Sequence, residues 1–177
     1  MAAAQSQDDI AWWEAYQLAE TDQPEALRAR AVAGDDHARW QLAHWLADRG
    51  RPGEAADLVR PLADLRDDLA GTWLARWLAD DGDLAELRRR AAAGDYHCLQ
   101  ELAGALAGTD QIPELRAVLS TPDGQVRPEL AAWLARSHGP DVWRLGAELG
   151  DADCGRRLER WVRMLAERQA AAGGGPA

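Results

Sequence analysis

The segment Ala33-Gly-Asp-Asp-His-Ala-Arg-Trp-Gln-Leu-Ala-His-Trp-Leu46 holds a helix start followed by an amphipathic helix. Glycine tolerates the left-handed backbone that ends a helix, and an Asp side chain accepts hydrogen bonds from the first N–H groups of the next one. Leu42 and Leu46 lie four residues apart, which places both on one helix face. The segment therefore predicts a helix that begins near Asp35 and buries one apolar stripe.

The same pattern recurs along the chain when Leu46 is taken as the reference position. The residues at this position, spaced by 28, 32, 28, 28 and 28, are Leu18, Leu46, Leu78, Leu106, Leu134 and Val162. Four residues before each lie Glu14, Leu42, Leu74, Leu102, Leu130 and Leu158. A second apolar stripe follows, starting at Leu27, Leu58, Leu87, Leu115 and Trp143, and Leu62 continues it in the unit that starts at Leu58. This spacing predicts an all-α superhelix, or α-solenoid, of about five helix pairs.

The breaks between helices agree with this architecture. Gly34-Asp35, Gly94-Asp95 and Gly150-Asp151 stand at the same offset in their units. Prolines near expected helix starts fit the first turn, where no backbone N–H is needed. We expect helices from about Asp8 onward, and three regions: a flexible N-terminus at 1–7, the helical-repeat domain at 8–169 and a disordered Gly- and Ala-rich tail at 170–177.

Composition excludes several functional classes. The chain has 177 residues, a net charge of −10 and no lysine. An acidic protein is a poor ligand for nucleic acid or anionic membrane. Without lysine, a P-loop and a Schiff-base lysine are both impossible. The absence of an apolar run of membrane length and of a signal sequence predicts a cytoplasmic protein, and the two cysteines fit a reducing compartment.

The pattern Ala-Gly-Asp-x-x-(Ala/Cys)-x-x-x-Leu-Ala-x-x-Leu resembles the short helical repeats of Sel-type and tetratricopeptide-like proteins, in the compact form common in actinobacteria. The resemblance covers roughly residues 25–165. It implies an α/α superhelix that serves as an interaction scaffold in a bacterium. The period of about 28 residues is shorter than the family standard, so no partner-binding residue is transferred.

The nine tryptophans fall into two groups. Five share columns with the leucines, which predicts that they pack in the core: Trp45, Trp77, Trp133, Trp143 and Trp161. The other four stand in less regular positions and are candidates for partner contact, with capping of the superhelix as the alternative: Trp12, Trp13, Trp40 and Trp73.

Metal binding and catalysis find little support in the sequence. His37 and His97 occupy equivalent positions two units apart, too far to share an ion. Cys98 and Cys154 also share a column, with Ala38 and Val126, and are expected to be small packing residues and free thiols. No Gly-x-Ser-x-Gly or Gly-x-Gly-x-x-Gly motif occurs. We therefore assign no catalytic, metal-binding or cofactor-binding residue, and no cofactor.

One polar column suggests a binding function. Its members are Arg28, Arg88, Arg116 and Arg144. Arg88 and Arg116 have no acid three or four residues away, which leaves them available to a carboxylate-bearing peptide. The alternative is that these arginines form inter-helix salt bridges or lie on the solvated surface. Near the C-terminus, Arg156, Arg157, Arg160 and Arg163 are expected to form a polar end cap.

The sequence thus favours a non-enzymatic protein–protein interaction module that binds a protein or peptide in its groove. The alternative is a regulatory or enzymatic domain with a small-molecule site in the concave groove. A third possibility, a repeat protein that works as a homo-oligomer, would expose a large apolar patch on one end or face.

Overall fold

The computed structural model describes residues 2–107, 109, 111–121, 123–124, 127–137, 143–144, 147–148, 150, 152, 154–157, 159–160 and 163–164. The chain divides into two compact units, Met1–Leu102 and Ala103–Ala177. Nine helices have both ends among the described residues: α1 (Ala2–Glu20), α2 (Pro24–Val32), α3 (Asp36–Asp48), α4 (Pro52–Asp64), α5 (Asp68–Asp81), α6 (Leu84–Ala92), α7 (Tyr96–Ala107), α8 (Ile112–Leu119) and α9 (Pro128–Ser137). No helix among these described residues is long and apolar enough to cross a bilayer.

Local sequence explains where these helices start and stop. The Asp35 carboxylate accepts a hydrogen bond from the Ala38 N–H at 3.0 Å, and Asp95 does the same for Cys98 at 3.1 Å. Gly34 and Gly94 precede these caps with φ of 95° and 92°, a conformation that favours glycine. The predicted Gly-Asp breaks at these two positions are confirmed.

Within the first unit, each helix packs on its neighbours in the chain: α1 on α2, α2 on α3, α3 on α4, α4 on α5 and α5 on α6; α1 also packs on α3. The core consists of the predicted leucine columns, where Leu42, Leu46, Leu74 and Leu78 are almost completely buried. The all-α architecture of consecutively packed helices, predicted from the repeat spacing, is confirmed.

A second core column consists of alanine, three residues before each reference leucine. All five members are buried: Ala15, Ala43, Ala75, Ala103 and Ala131. A methyl side chain at this position lets the neighbouring helix approach closely, which a larger residue would prevent. This alanine is part of the Leu-Ala-x-x-Leu pattern of the sequence, but its burial was not predicted there.

The register predicted for α4 is wrong by one residue. Val59 is completely buried, whereas Leu58 is half-buried, so Val59 and not Leu58 is the equivalent of Leu27; by the same count, Ala63 and not Leu62 is the equivalent of Ala31. All four extra residues of this unit therefore precede α4. The turn after α4 confirms the count, because Arg66-Asp67 occupies the place of Gly34-Asp35 and Arg66 has φ of 65°.

Other predictions are corrected in part. Trp77 is buried as predicted, but Trp45, Trp133 and Trp143 are half-buried. The helix α1 begins at Ala2, ahead of the predicted start near Asp8, because alanine has the highest helix propensity. Several predictions fall on residues outside the described set: Val126, Asp151, Leu158, Trp161, Val162 and the tail at 170–177.

Candidate functional site

The aromatic residues of α1, α3 and α5 follow one register. They lie six, five, two or one residues before the reference leucine, a set of positions that continues from the side of the leucine stripe to the opposite side of each helix. We call this set the aromatic face: Trp12, Trp13 and Tyr16 on α1; Trp40, His44 and Trp45 on α3; Trp73 and Trp77 on α5. Trp12 and Trp40 are thus equivalent, as are Trp13 and Trp73.

The most exposed part of the aromatic face lies on α1. Trp12 and Trp13 are 46% and 54% exposed, and nearby Ile10 is 54% exposed. The Tyr16 ring stacks on Trp12, with centroids 5.5 Å apart, and on Trp13 at 5.8 Å. The two indoles are therefore held in place by a neighbouring ring and yet open to solvent.

On α3 and α5 the aromatic face is packed against itself. The edge of the His44 ring meets Trp73 at 4.5 Å and Trp77 at 5.2 Å, and His44 stacks on Trp40 at 6.0 Å. Burial lowers the pKa of His44 below its usual value, and the charge of Asp48 opposes this only in part. His44 is therefore neutral at pH 7, and the cluster holds α3 against α5. Partner binding by Trp40 and Trp73 stays a prediction.

In the third part of the aromatic face, an arginine side chain lies over the indole ring of Trp45. The Arg49 guanidinium lies 3.9 Å above the centre of the Trp45 ring. The Trp45 Nε1–H donates to Asp22 Oδ1 at 2.9 Å, and Arg49 forms a salt bridge with the same carboxylate. This arrangement explains why Trp45 is only half-buried, since its outer face carries a charged group.

A polar cleft of about 450 Å³ lies between the α4–α5 and α6–α7 turns. Its lining is rich in charged groups: Asp64, Arg66, Asp67, Asp68, Arg90, Asp95 and His97, with Ala63, Gly71, Ala93, Gly94 and Tyr96. Arg90 is buried and donates to Asp64 at 2.7 Å and to Glu86 at 2.8 Å. Hydrogen bonds from Arg89 and then Arg90 lower the pKa of Glu86 to about 2, against the opposing effect of burial.

His97 in this cleft lies between Asp68 and Thr72, an arrangement that resembles a catalytic triad. Its Nε2 is 2.9 Å from Asp68 Oδ1, and its Nδ1 is 3.3 Å from the Thr72 hydroxyl. The Thr72 hydroxyl, however, donates to the Asp68 backbone carbonyl at 2.9 Å. While this bond is made, the hydroxyl proton is not shared with His97, unlike the proton of a nucleophile that hydrogen-bonds to its base. Among the described residues, no three His, Cys, Asp or Glu side chains are grouped so that they could hold a metal ion.

The arginine column gains a fifth member once the α4 register is corrected. Arg60 is equivalent to Arg28 and bridges α4 to α6, with Nη1 2.8 Å from Glu86. Arg116 forms a salt bridge with Glu148 at 2.9 Å, so the prediction that it is unpaired is wrong. Arg28 pairs with Glu25 at 2.8 Å, and the exposed Arg88 and Arg144 also have interaction partners. Local spacing missed Glu148 because it lies 32 residues away.

Sequence reasoning also missed two arginines that interact with the aspartates of the Gly-Asp turns. Arg30 contacts Asp35 at 2.7 Å and Glu14 at 3.0 Å. Arg90 occupies the equivalent position, with Asp95 4.0 Å from its Nη1. The signal that could have revealed them is an arginine five residues before the capping aspartate in both units.

Comparison with known protein families, with curated proteins and with solved structures found no match for this chain. The helical-repeat character rests on the packing of the helices described above. The resemblance to Sel-type and tetratricopeptide-like repeats stays a proposal.

Proposed function

We propose that this protein is a non-enzymatic protein–protein interaction module, of the Sel-type or tetratricopeptide-like kind, that works in a bacterial cytoplasm and binds its partner through α1. The observation that supports this proposal is the exposure of Ile10, Trp12 and Trp13 on one helix. Tryptophan is enriched at the centres of protein interfaces, where it contributes a large part of the binding energy.

The geometry of α1 favours binding for a second reason. Stacking of Tyr16 against Trp12 and Trp13 restricts the indole rings before any partner arrives. Ordering a side chain at an interface costs about 0.5–1.5 kcal/mol, and a pre-ordered ring avoids much of that cost. The surface therefore has both the apolar area and the order that recognition needs.

The arginine column is the weaker candidate for partner contact. Arg116 would have to leave Glu148 before it could bind a partner's carboxylate, and Arg60 is used to bridge two helices. These contacts support the inter-helix alternative for this column. We therefore assign the partner surface to α1 and not to a carboxylate-binding groove.

The polar cleft supports a second candidate function, a regulatory or enzymatic small-molecule site. Its volume falls in the range of about 300–1,000 Å³ that is typical of ligand pockets. Its lining is polar, however, and Arg90 already binds Asp64, another lining residue, and Glu86. A ligand would have to break these contacts, so the interaction module remains the preferred function.

Affinity capture would test the proposal. Immobilised wild-type protein, Trp12→Ala/Trp13→Ala and the matched control Leu65→Ala/Leu69→Ala would be exposed to lysate of the native organism. Leu65 and Leu69 are also exposed, at 81% and 59%, but lie on the α4–α5 turn and α5. We expect a protein that binds the wild type and the control but not the tryptophan variant, and that binds the wild type again after purification. Equal capture by all three would contradict the proposal.

A further inference from the structure

We propose that the partner of α1 is a second copy of this chain, and that Trp12 and Trp13 of one protomer bind the arginine stripe of another, which consists of Arg160 and Arg163. This inference rests on the proposed function in one respect, because it uses the same surface of α1. It adds that the partner is another copy of this chain and that arginine side chains bind the tryptophans.

The negative charge of α1 favours a positively charged binding partner. The helix contains four acidic residues, Asp8, Asp9, Glu14 and Glu20, and no basic residue. Among the described residues, no cation lies over Trp12 or Trp13, whereas Trp45 carries Arg49. A negatively charged helix with open indole faces attracts a guanidinium both by its charge and by the electron-rich rings.

The molecule already contains one example of this recognition. Arg49 lies on the Trp45 ring while Asp22 holds both the guanidinium and the indole N–H. Trp45 and the α1 tryptophans belong to the same aromatic face. The contact that we propose between protomers has the same components: an arginine, an indole and a nearby carboxylate.

The C-terminal unit supplies the complementary charge. Between residues 154 and 164 the sequence has four arginines and one acid. Arg160 and Arg163 lie in helical backbone with exposed side chains, and a spacing of three residues is typical of neighbours on one helix face. Arginine combines stacking on aromatic rings with binding to carboxylates, and it is thus suited to a surface that offers both.

The two surfaces are different, so each contact joins α1 of one copy to the arginine stripe of another. Each protomer carries one of each surface, so the copies associate either head to tail or as a two-fold dimer that contains two such contacts. Because the contact depends on charge, it weakens as the salt concentration rises.

Sedimentation velocity of the full chain tests this inference. We expect the average mass to rise with protein concentration at low salt and to return toward that of the monomer at high salt. Trp12→Ala/Trp13→Ala and Arg160→Glu/Arg163→Glu should each stay monomeric. The controls Leu65→Ala/Leu69→Ala and Arg66→Glu/Arg76→Glu make matched changes elsewhere on the surface and should associate like the wild type. Circular dichroism would establish that each variant folds.

Mixing the tryptophan variant with the arginine variant gives a stricter test of the proposed contact. The tryptophan variant keeps its arginine stripe, and the arginine variant keeps its α1 surface. An equimolar mixture should therefore form a one-to-one complex that grows no further. A wild type that is monomeric at every concentration, or an arginine variant that still associates, would overturn the inference. If the wild type is monomeric while its α1 tryptophans still capture another protein, self-association is wrong but the proposed function stands.

Discussion

Arg30 binds Asp35 across the turn between α2 and α3, with its Nε donating to Oδ2 at 2.8 Å. The same carboxylate caps α3 through the Ala38 N–H. Burial alone would raise the pKa of Asp35, but the Ala38 N–H and the Arg30 guanidinium lower it below its usual value. One aspartate thus connects the end of a helix, the start of the next one and a cation that also reaches α1.

Replacing Arg30 should destabilise the fold. Arg30→Ala removes contacts to Asp35 and Glu14, and we expect the free energy of unfolding to fall by about 1.5–3 kcal/mol, the value of charge-assisted hydrogen bonds. Urea denaturation would measure it. Arg28→Ala is the matched control, because Arg28 forms only an exposed pair with Glu25 and should cost less than about 1 kcal/mol. Equal losses for the two variants would show that the turn contact is not stabilising.

Glu86 should make stability depend on acid pH. Its pKa is about 2 in the folded protein against an ordinary value of 4.5, so the unfolded chain binds the proton more tightly. This contribution to stability is complete above about pH 4.5 and is lost as the pH falls toward 2. Glu86→Gln should therefore be less stable than the wild type at pH 7, and the difference should shrink through that window. A difference that does not vary with pH would contradict this assignment.

Arg66 has a backbone conformation that glycine would adopt more easily. With φ of 65° it replaces the glycines that precede Asp35 and Asp95. We expect Arg66→Gly to raise the free energy of unfolding by about 1 kcal/mol, because a non-glycine residue in this region costs about 1–3 kcal/mol.

Gly94→Ala makes the reverse change in the α6–α7 turn, where glycine occupies the position equivalent to Arg66. A Cβ at Gly94 would meet nothing within 4 Å, so only the backbone cost of φ 92° is tested. Thermal unfolding should show a loss of about 1 kcal/mol. A gain in stability at Gly94, or a loss at Arg66, would refute the comparison of the two turns.

Cys98 should be unreactive in the native protein. It is a free and completely buried thiol, and burial, with help from Asp95, raises its pKa to about 12. The thiolate is the reactive form, so a thiol-specific reagent at pH 8 should modify Cys98 only at the rate of unfolding. Mass spectrometry of peptides from native and urea-treated protein would locate the label. Rapid labelling of native Cys98 would contradict its burial.

The sequence predicted those parts of the fold that repeat at fixed spacing. The leucine columns and the Gly-Asp turns are periodic, and helix periodicity indicates which side of a helix is buried. The position of Val59 could not be derived in the same way, since the unit that contains it has four extra residues and the spacing does not say where they lie. The error carried over to Arg60, which was not recognised as part of the arginine column.

The candidate surface was predicted only as a set of residue types. Trp12 and Trp13 were named as candidates for partner contact, and their common register with Trp40 and Trp73 can be counted along the sequence, but the ring contacts Trp13–Tyr16 and Trp73–Trp77 are seen only in the folded chain. Long-range pairs such as Arg116 with Glu148 depend on which helices become neighbours. Local spacing along the sequence does not contain that information.

The buried alanine column affects how the number of repeats in such a chain can change during evolution. Because the same methyl group occupies the same position in α1, α3 and α5, each helix offers its neighbour an equivalent surface. A gene duplication or deletion that adds or removes a whole helix pair would preserve every contact of this kind. The number of repeats is thus open to evolutionary change, while a bulky residue in place of one of these alanines would overpack the contact and should cost about 1–3 kcal/mol.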